Sequence, residues 1–261
     1  MRVFELGCVP YATALELQMR HVDEVIAGAS PVLLLLEHPP VITLGRNGRA
    51  DSVLVAEDQL RAQGIAVHRS TRGGDATCHF PGQLVAYAIF RLDRRAGGIH
   101  RFFYDIEAVI LRTLEHWNIE AGRRAGRPGV WVEGRKIASI GIGARRWVSF
   151  HGLALNVSHD LGPFALIAPC GMRDVEPTSM ERELERRGQR RAVALAEVKA
   201  RLTSCFAAVF EPVESCVTHA LPPESPTAAQ RLAPCAPRRG PAVRAHAPAL
   251  AVNSPAGQAA R

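Results

Sequence analysis

The feature that most constrains the fold is a short, wholly apolar run near the start of the chain. Residues 32–36 read Val-Leu-Leu-Leu-Leu, and the residues His38-Pro39-Pro40 end the run. A run of this length bounded by prolines predicts a strand buried on both faces, and it is far too short to cross a bilayer. Residues 12–28, which precede it, carry apolar side chains three or four positions apart, the period of an amphipathic helix. The sequence therefore predicts a helix followed by a buried strand.

The same alternation continues to about residue 210. We expect a second strand at 41–44, a helix along the apolar stripe 102–117, a hairpin over 129–140, a helix opened by a capping box of Thr178 and Glu181, and a last helix along 195–209. Strands and helices mixed over this length predict one domain of the α/β (α+β) class.

The composition changes after about residue 213. Residues 218–261 hold eight of the 18 prolines and contain no aromatic residue and no isoleucine. Such a segment buries too little apolar area to offset its ordering entropy. The sequence therefore predicts a folded domain over residues 1–213 and a disordered Pro/Ala/Arg-rich tail over 214–261.

Charge and cysteine usage narrow the function classes. The net charge of +7 favours acidic partners. Only two of the 32 basic residues are lysines, Lys136 and Lys199, so a lysine here points to a task that arginine cannot perform, such as losing a proton. None of the six cysteines lies in a C-x-x-C pair, which argues against a zinc ribbon or a thioredoxin-like site.

The first of three segments dense in glycine and functional side chains is Arg72-Gly-Gly-Asp-Ala-Thr-Cys-His-Phe-Pro-Gly-Gln-Leu84. Gly73 and Gly74 allow the backbone to approach a ligand closely or to turn with positive φ. His79 is a candidate acid, base or ligand. The alternative is a surface loop with a structural histidine.

The second segment, residues 134–143, reads Gly-Arg-Lys-Ile-Ala-Ser-Ile-Gly-Ile-Gly. Its end, Gly141-Ile-Gly143, resembles the start of the dinucleotide-binding pattern G-x-G-x-x-G, but Arg146 stands where the third glycine belongs, which weakens that interpretation. Taken alone, Lys136 is also compatible with an ordinary charge at a turn.

The third segment runs from His151-Gly-Leu-Ala-Leu-Asn156 to Ile167-Ala-Pro-Cys-Gly171. Cys170 follows an apolar stretch and stands between a proline and a glycine, which suits a nucleophile displayed on a loop. A buried, inert thiol is the alternative, and position alone leaves both open.

Taken jointly and in order, the patterns R-G-G-x-x-T-x-H-x-P-G-Q-L, G-x-K-I-A-S-I-G, H-G-x-A-L-N and I-x-P-C-G resemble the lipoyl(octanoyl) transferases of lipoate biosynthesis. The segment Glu37-His-Pro-Pro-Val-Ile-Thr-Leu-Gly45 is similar to another signature of that family. The resemblance covers roughly residues 5–210 and leaves the tail outside.

The resemblance implies the fold of the catalytic domains of biotin and lipoate protein ligases. It implies an enzyme that transfers octanoyl from octanoyl-acyl carrier protein to a lysine of lipoyl domains, in 2-oxoacid dehydrogenase complexes and the glycine cleavage H protein. This is the first step of endogenous protein lipoylation and needs no cofactor, ATP or metal. The first residues lack the extended apolar stretch of a signal peptide, which predicts a cytoplasmic location.

The family match also assigns residues. Cys170 would carry the acyl group as a thioester, and Lys136 would tune its reactivity. The acyl pocket would be lined by three stretches of the matched motifs, namely Arg72, Gly73, Gly74, Asp75, Ala76, Thr77, Cys78 and His79, then Ser139, Ile140 and Gly141, then Gly152, Leu153 and Ala154.

The chain departs from the family pattern beside His79. Cys78 stands where the family usually has an aromatic residue, and Phe80 stands where it has glycine. The large side chain of Phe80 is therefore expected near the acyl site, where it would alter the preferred acyl-chain length.

Two alternatives stand beside the transferase. One is an ATP-dependent lipoate or biotin protein ligase on the same fold, which would need no cysteine. The other is an inactive acyl-binding or nucleic-acid-binding protein, for which Phe80 and the basic tail are the only support. The pattern as a whole favours the transferase, with neither membrane nor nucleic acid as a partner.

Overall fold

The computed structural model describes residues 1–93, 96–168 and 175–218. Within these ranges the chain forms eleven strands, five α-helices and two short 3-10 helices. The strands are β1 (Arg2–Cys8), β2 (Val32–Glu37), β3 (Val41–Leu44), β4 (Ala66–Arg69), β5 (Ala76–His79), β6 (Gln83–Ile89), β7 (Gly122–Arg124), β8 (Arg127–Val132), β9 (Arg135–Arg145), β10 (Val148–Asn156) and β11 (Ser215–Thr218). The helices are α1 (Tyr11–Ile26), α2 (Glu57–Ala62), α3 (Gly98–Glu115), α4 (Met180–Arg186) and α5 (Leu195–Val209), and the 3-10 helices are Ala50–Ser52 and Gly162–Leu166.

Eight of these strands form one mixed sheet in the order β11-β1-β2-β6-β10-β9-β8-β7. β1 runs parallel to both of its neighbours, β11 and β2. All the other neighbouring strands of this sheet, in the order β2-β6-β10-β9-β8-β7, run antiparallel to each other. The leucine run forms β2, and all four leucines are fully buried. Because side chains alternate along a strand, Leu33 and Leu35 face one hydrophobic cluster while Leu34 and Leu36 face another.

Helices cover both faces of this sheet, which explains why β2 has no polar side. α1 places Val22 and Val25 in the cluster that contains Leu34 and Leu36. α3, α4 and α5 pack on the opposite face, where Ile106 of α3 and Leu202 of α5 join the larger cluster. The fold is thus a sheet between two helical layers, and the predicted α/β class is confirmed.

A second, three-stranded sheet in the order β4-β3-β5 carries the first of the glycine-rich segments. Its own hydrophobic cluster includes Ile42, Leu60 and Phe80. The connection from β4 to β5 reaches the main sheet, where the amide of Gly73 donates to the carbonyl of Ile142 at 3.0 Å. This contact sets the first glycine-rich segment against the second.

The predicted elements are found close to their expected positions, but the capping box was assigned wrongly. The N-cap of α4 is Ser179, whose hydroxyl accepts from the amide of Arg182. Thr178 stands one residue before the N-cap, and its hydroxyl donates to the buried carboxylate of Glu183.

The sheet continues past the expected end of the domain. Ser215–Thr218 form β11, in parallel register with Arg2–Glu5 of β1. Main-chain pairing at a sheet edge does not require apolar side chains, so composition gave no sign of this strand. The division at residue 213 stays a prediction, although the last strand falls beyond it, and residues 219–261 lie outside the described residues.

Across the described ranges, no helix combines the length and the apolarity needed to cross a membrane.

Candidate active site

A cavity of about 1100 Å³ lies where the smaller sheet meets the main sheet. Its walls come from the β4–β5 connection and β5, from β9 and β10, and from the first residue of α1. The 3-10 helix Gly162–Leu166 adds a further wall. The three segments that the sequence singled out therefore converge on one space.

Nearly all the residues predicted for the acyl pocket line this cavity. The β4–β5 connection contributes Arg72, Gly73, Gly74 and Asp75, β5 contributes Ala76, Thr77 and His79, β9 contributes Lys136, Ser139, Ile140 and Gly141, and β10 contributes Gly152, Leu153 and Ala154.

Cys78 is placed differently from its neighbours on β5. Because side chains alternate along a strand, Thr77 and His79 share one face, and Cys78 points to the other. Cys78 lies in the hydrophobic cluster of the smaller sheet with 1% of its surface exposed, and burial raises the pKa of its thiol. Its side chain thus packs behind the cavity wall, contrary to the expectation that it lines the pocket.

Lys136 reaches the cavity from the second position of β9. Its Nζ lies 5.4 Å from the ring centroid of Trp131 on β8, and both residues line the cavity. Gly129, with φ of 113°, makes this path possible. A Cβ there would stand 2.8 Å from Cε of Lys136 and 2.4 Å from the carbonyl oxygen of Ala138, closer than such atoms pack.

The backbone of Lys136 is held on its open side by the segment before α4. Its amide donates to the carbonyl of Glu176 at 2.8 Å, and its carbonyl accepts from the amide of Thr178 at 2.9 Å. Arg135, the preceding residue, forms a two-pronged ion pair with Glu183 through contacts of 2.9 Å each. Although burial alone would raise the pKa of Glu183, hydrogen bonds from Arg135 and Thr178 keep it below its usual value. Two neighbouring elements therefore fix the start of β9.

The predicted nucleophile Cys170 lies outside the described residues. The described residues that border this gap are Ala168 and Val175, and both line the cavity. The amide of Ala168 donates to the carbonyl of Ser52 at 2.9 Å, which anchors the chain just before the gap. The described residues on both sides of 169–174 therefore lie at the cavity.

Arg72 organises the glycine-rich connection from within. It is 8% exposed. Its guanidinium donates to the carbonyl of Thr43 at 2.6 Å, to the Thr43 hydroxyl at 2.9 Å, and to the carbonyl of Gly73 at 3.1 Å. These bonds tie the segment to β3, so Arg72 shapes the wall it belongs to.

A buried cluster of histidine and tyrosine side chains forms the floor of the cavity, and sequence reasoning missed most of it. The hydroxyl of Tyr11 donates to Ser70 at 2.7 Å, and Nε2 of His38 lies 2.7 Å from the hydroxyl of Tyr87. Burial lowers the pKa of His38 to about 4. Burial, with a smaller contribution from a nearby arginine, lowers the pKa of His151 to about 3.

These side chains are therefore neutral near pH 7 and offer hydrogen bonds rather than charge. Tyr11, Tyr87 and His151 line the cavity. Among the described residues, no three His, Cys, Asp or Glu side chains are grouped to hold a metal ion. In the sequence, His38 and His151 each stand beside apolar residues, which hinted that they are buried. Their positions in the chain did not indicate that they meet at one cavity.

Phe80 acts on the cavity through another ring. It is 3% exposed and does not contact the cavity itself. Its ring meets that of Phe164 edge to face, with centroids 5.5 Å apart, and Phe164 lines the cavity together with Leu161 and Ile167. Phe80, which departs from the family pattern, therefore packs behind an apolar wall of the cavity and supports it.

Solved structures that share this fold include lipoate-protein ligases. One is described as lipoate-protein ligase A bound with ATP, with a TM-score of 0.67, 18% identity, and coverage of 84% of this chain and 90% of that chain. Another is a bipartite lipoate protein ligase from Thermoplasma acidophilum, with a TM-score of 0.61, 20% identity, and coverage of 84% and 87%. At 18–20% sequence identity this likeness shows the fold alone. The chain therefore has the lipoate-protein ligase fold.

Sequence comparison specifies the family within this class. The family model described as the lipoyl protein ligase A/B catalytic domain matches residues 10–207. A protein of Nitratidesulfovibrio vulgaris named octanoyltransferase is 50% identical over 210 residues, which are 80% of this chain and 94% of that protein. One of Geobacter sulfurreducens with the same name is 44% identical over 208 residues, covering 79% and 83%. The chain belongs to the octanoyltransferases of the lipoyl protein ligase A/B family, and it is an acyltransferase.

Proposed function

We propose that this chain transfers an octanoyl group from octanoyl-acyl carrier protein to a lysine of a lipoyl domain through a thioester on Cys170. The observation that carries the proposal is the position of Lys136 in the wall of a largely apolar cavity, on a chain 50% identical to a named octanoyltransferase. A thioester donor and an amine acceptor need never meet if a thiolate holds the acyl group between them.

The cavity suits an acyl chain. Ile140, Leu153 and Phe164 give it apolar walls, and each buried CH₂ of a ligand contributes about 0.8 kcal/mol. An octanoyl tail would gain about 5 kcal/mol on full burial by the same measure. That gain favours binding of the octanoyl donor and places the acyl chain of the thioester in the cavity.

Lys136 supports the chemistry at the thiol. A free cysteine has a pKa of about 8.5, so little thiolate is present near pH 7. A lysine beside it either stabilises the thiolate as an ammonium or accepts the thiol proton as an amine. Cys170 follows Ala168 by two residues, and Ala168 and Lys136 line the same cavity.

The donor and acceptor are proteins, and the charge of the chain fits them. Acyl carrier proteins and lipoyl domains are typically acidic, and the positive net charge would attract both. The alternative is that the value of +7 partly reflects the Arg-bearing tail. The ATP-dependent ligase is less well supported, because the relatives at 50% and 44% identity are named octanoyltransferases.

Intact mass spectrometry tests the acyl-enzyme directly. The full chain mixed with octanoyl-acyl carrier protein, without ATP, should gain the mass of one octanoyl group and lose it when a lipoyl domain is added. Cys170→Ala should abolish both events, whereas Cys216→Ala, at an exposed free cysteine of β11, should change neither. Full transfer by folded Cys170→Ala would refute the covalent mechanism.

We also propose that the catalytic domain extends through β11 and that residues 219–261 lie outside it. Glu214 donates its amide to the carbonyl of Met1 at 2.9 Å, and β11 then pairs with β1. Ending the chain after Thr218 should leave melting temperature and turnover nearly unchanged, whereas ending it after residue 213 should lower the melting temperature by several degrees. Equal melting temperatures for the two truncations would contradict this boundary.

A further inference from the structure

His79 has two ring nitrogens, and its neighbours determine which one carries the proton. In a neutral imidazole one nitrogen donates and the other accepts. Nδ1 of His79 lies 2.7 Å from Oε1 of Gln83, the first residue of β6. The tautomer of His79 therefore depends on which end of the Gln83 amide faces the ring.

The orientation of that amide is fixed by a chain of hydrogen bonds that starts at a backbone carbonyl. The carbonyl of Thr178 can only accept, so the group 2.9 Å from it is the NH₂ of Asn156. The oxygen of Asn156 then faces Gln83 and accepts from its NH₂ at 2.9 Å. The NH₂ of Gln83 also lies 3.4 Å from a second backbone carbonyl, that of Cys78. The oxygen of Gln83 must therefore face His79, and Nδ1 must carry the proton.

The lone pair of the His79 ring consequently lies on Nε2. His79 lines the cavity, and among the described residues its hydrogen bond is made through Nδ1. The rings of His38 and Tyr11 lie near the ring of His79, at centroid distances of 5.4 Å and 6.5 Å. Arg72 and His151 are close enough to act on it electrostatically. Burial foremost, and then His38, keep the pKa of His79 well below its usual value, so the ring stays neutral. A neutral ring with so low a pKa accepts a hydrogen bond but is a poor proton acceptor.

In the second half-reaction, when the thiol is already acylated, the substrate amine is the matching donor at the reacting centre. The acyl carbonyl of the thioester only accepts hydrogen bonds, whereas the attacking amine carries N–H groups. An N–H bonded to a fixed acceptor turns the nitrogen lone pair towards the carbonyl carbon. The opposite tautomer would present an N–H to that lone pair and oppose attack.

We propose that the relay from Thr178 through Asn156 and Gln83 fixes His79 as a neutral hydrogen-bond acceptor for the amine of the substrate lysine. Gln83 and Asn156 are positioning residues in this scheme, and Lys136 remains the group that exchanges protons. The assignment rests on the proposed function, because the amine enters only in the second half-reaction.

Nitrogen-15 NMR of the full chain labelled at histidine tests the tautomer without any substrate. At about pH 7.5, Nδ1 of His79 should give the signal of a protonated nitrogen and Nε2 that of an unprotonated one, with His79→Gln used to assign the pair. His38 is an internal reference for the same tautomer, because its Nδ1 lies 2.5 Å from the carbonyl of Val9. A protonated Nε2 on His79 in the unmodified chain would overturn the proposal.

Gln83→Met tests the relay, and Gln83→Glu is its matched control because a carboxylate still accepts from Nδ1–H. The methionine variant should shift His79 towards the Nε2–H tautomer, and the glutamate variant should retain the Nδ1 proton while raising the pKa seen in the NMR titration. Asn156→Leu, which frees the Gln83 amide to rotate, should resemble Gln83→Met and serves if that variant does not fold.

The half-reactions test the role of the amine. In Gln83→Met, aminolysis of the preformed acyl-enzyme by a lipoyl domain should slow about 10- to 100-fold, the cost of a misdirected buried hydrogen bond. Acylation by octanoyl-acyl carrier protein should stay within a few-fold of the unmodified chain. Equal slowing of both half-reactions would overturn the amine assignment. Failure of the unmodified chain to form an acyl-enzyme would refute the proposed function and the amine role with it, while the NMR spectrum would still decide the tautomer.

Discussion

Replacing Lys136 with arginine separates two roles that this residue could fill. Arginine keeps the positive charge and can lie on the Trp131 ring as the lysine does at 5.4 Å. It cannot lose its proton, because its pKa exceeds about 12. If Lys136 only supplies charge, Lys136→Arg should retain most of the activity. If it must take protons from the thiol and the amine, the variant should fail.

We expect failure. General-base loss typically costs about 10²- to 10⁴-fold in rate, or about 3–5 kcal/mol of transition-state stabilisation. His79 is the other candidate base, but its pKa is depressed by burial, which makes it a poor substitute. The assay is steady-state transfer of octanoyl to a lipoyl domain, with circular dichroism to verify folding.

Lys199→Arg is the matched control, because it changes the only other lysine of the chain. Lys199 lies on α5, 3.6 Å from the carboxylate of Glu5, and takes no part in lining the cavity. Its replacement should leave transfer unchanged. Steric misplacement of the arginine at position 136 is tested with Lys136→Ala, whose activity added propylamine should partly restore. A folded Lys136→Arg variant within a few-fold of the unmodified chain would refute the proton-exchange role.

Three further predictions concern the cavity wall, the buried histidines and the charge. Phe80→Ala should let Phe164 move back and should raise kcat/KM for decanoyl relative to octanoyl donors by up to about tenfold, from about 0.8 kcal/mol for each additional buried CH₂; an unchanged ratio would contradict the support seen here. His38 and His151 have folded pKa values of about 4 and 3 against about 6.5 in the unfolded chain. As the pH falls below the unfolded value the unfolded chain binds more protons, so denaturant titrations should show a loss of about 2 kcal/mol for each histidine between about pH 7.5 and 5, reduced in His151→Gln. Raising NaCl should lower kcat/KM with protein substrates, since screening acts beyond about 10 Å at 0.1 M salt, and a flat profile would exclude electrostatic docking.

The sequence predicted those features that composition and period encode locally. The leucines of β2 and the apolar stripes of α3 and α5 identified their elements because burial dictates residue type at each position. β11 was missed because its place in the sheet depends on main-chain pairing with β1, some 210 residues away.

In the candidate site, too, residues marked by a local sequence feature could be predicted, and contacts between distant segments could not. Lys136 was identifiable because lysine is rare in this chain, and Gly73 and Gly74 because glycine marks close backbone approach. The contact of His38 with Tyr87 depends on two strands meeting in space, and no local pattern encodes it. Phe80 was rightly noticed as unusual, but only the packing reveals that it acts from behind the wall.

The parallel pairing of β1 with β11 also has a consequence for biosynthesis. Arg2 stands opposite Ser215, so β1 leaves the ribosome more than 200 residues before the strand that pairs with its outer edge. Until then the growing chain exposes a strand edge, the surface through which proteins associate wrongly. Contacts of such sequence separation also slow folding. We therefore expect the yield of correctly folded protein to depend on chaperone supply and growth temperature more than the stability of the finished fold would indicate.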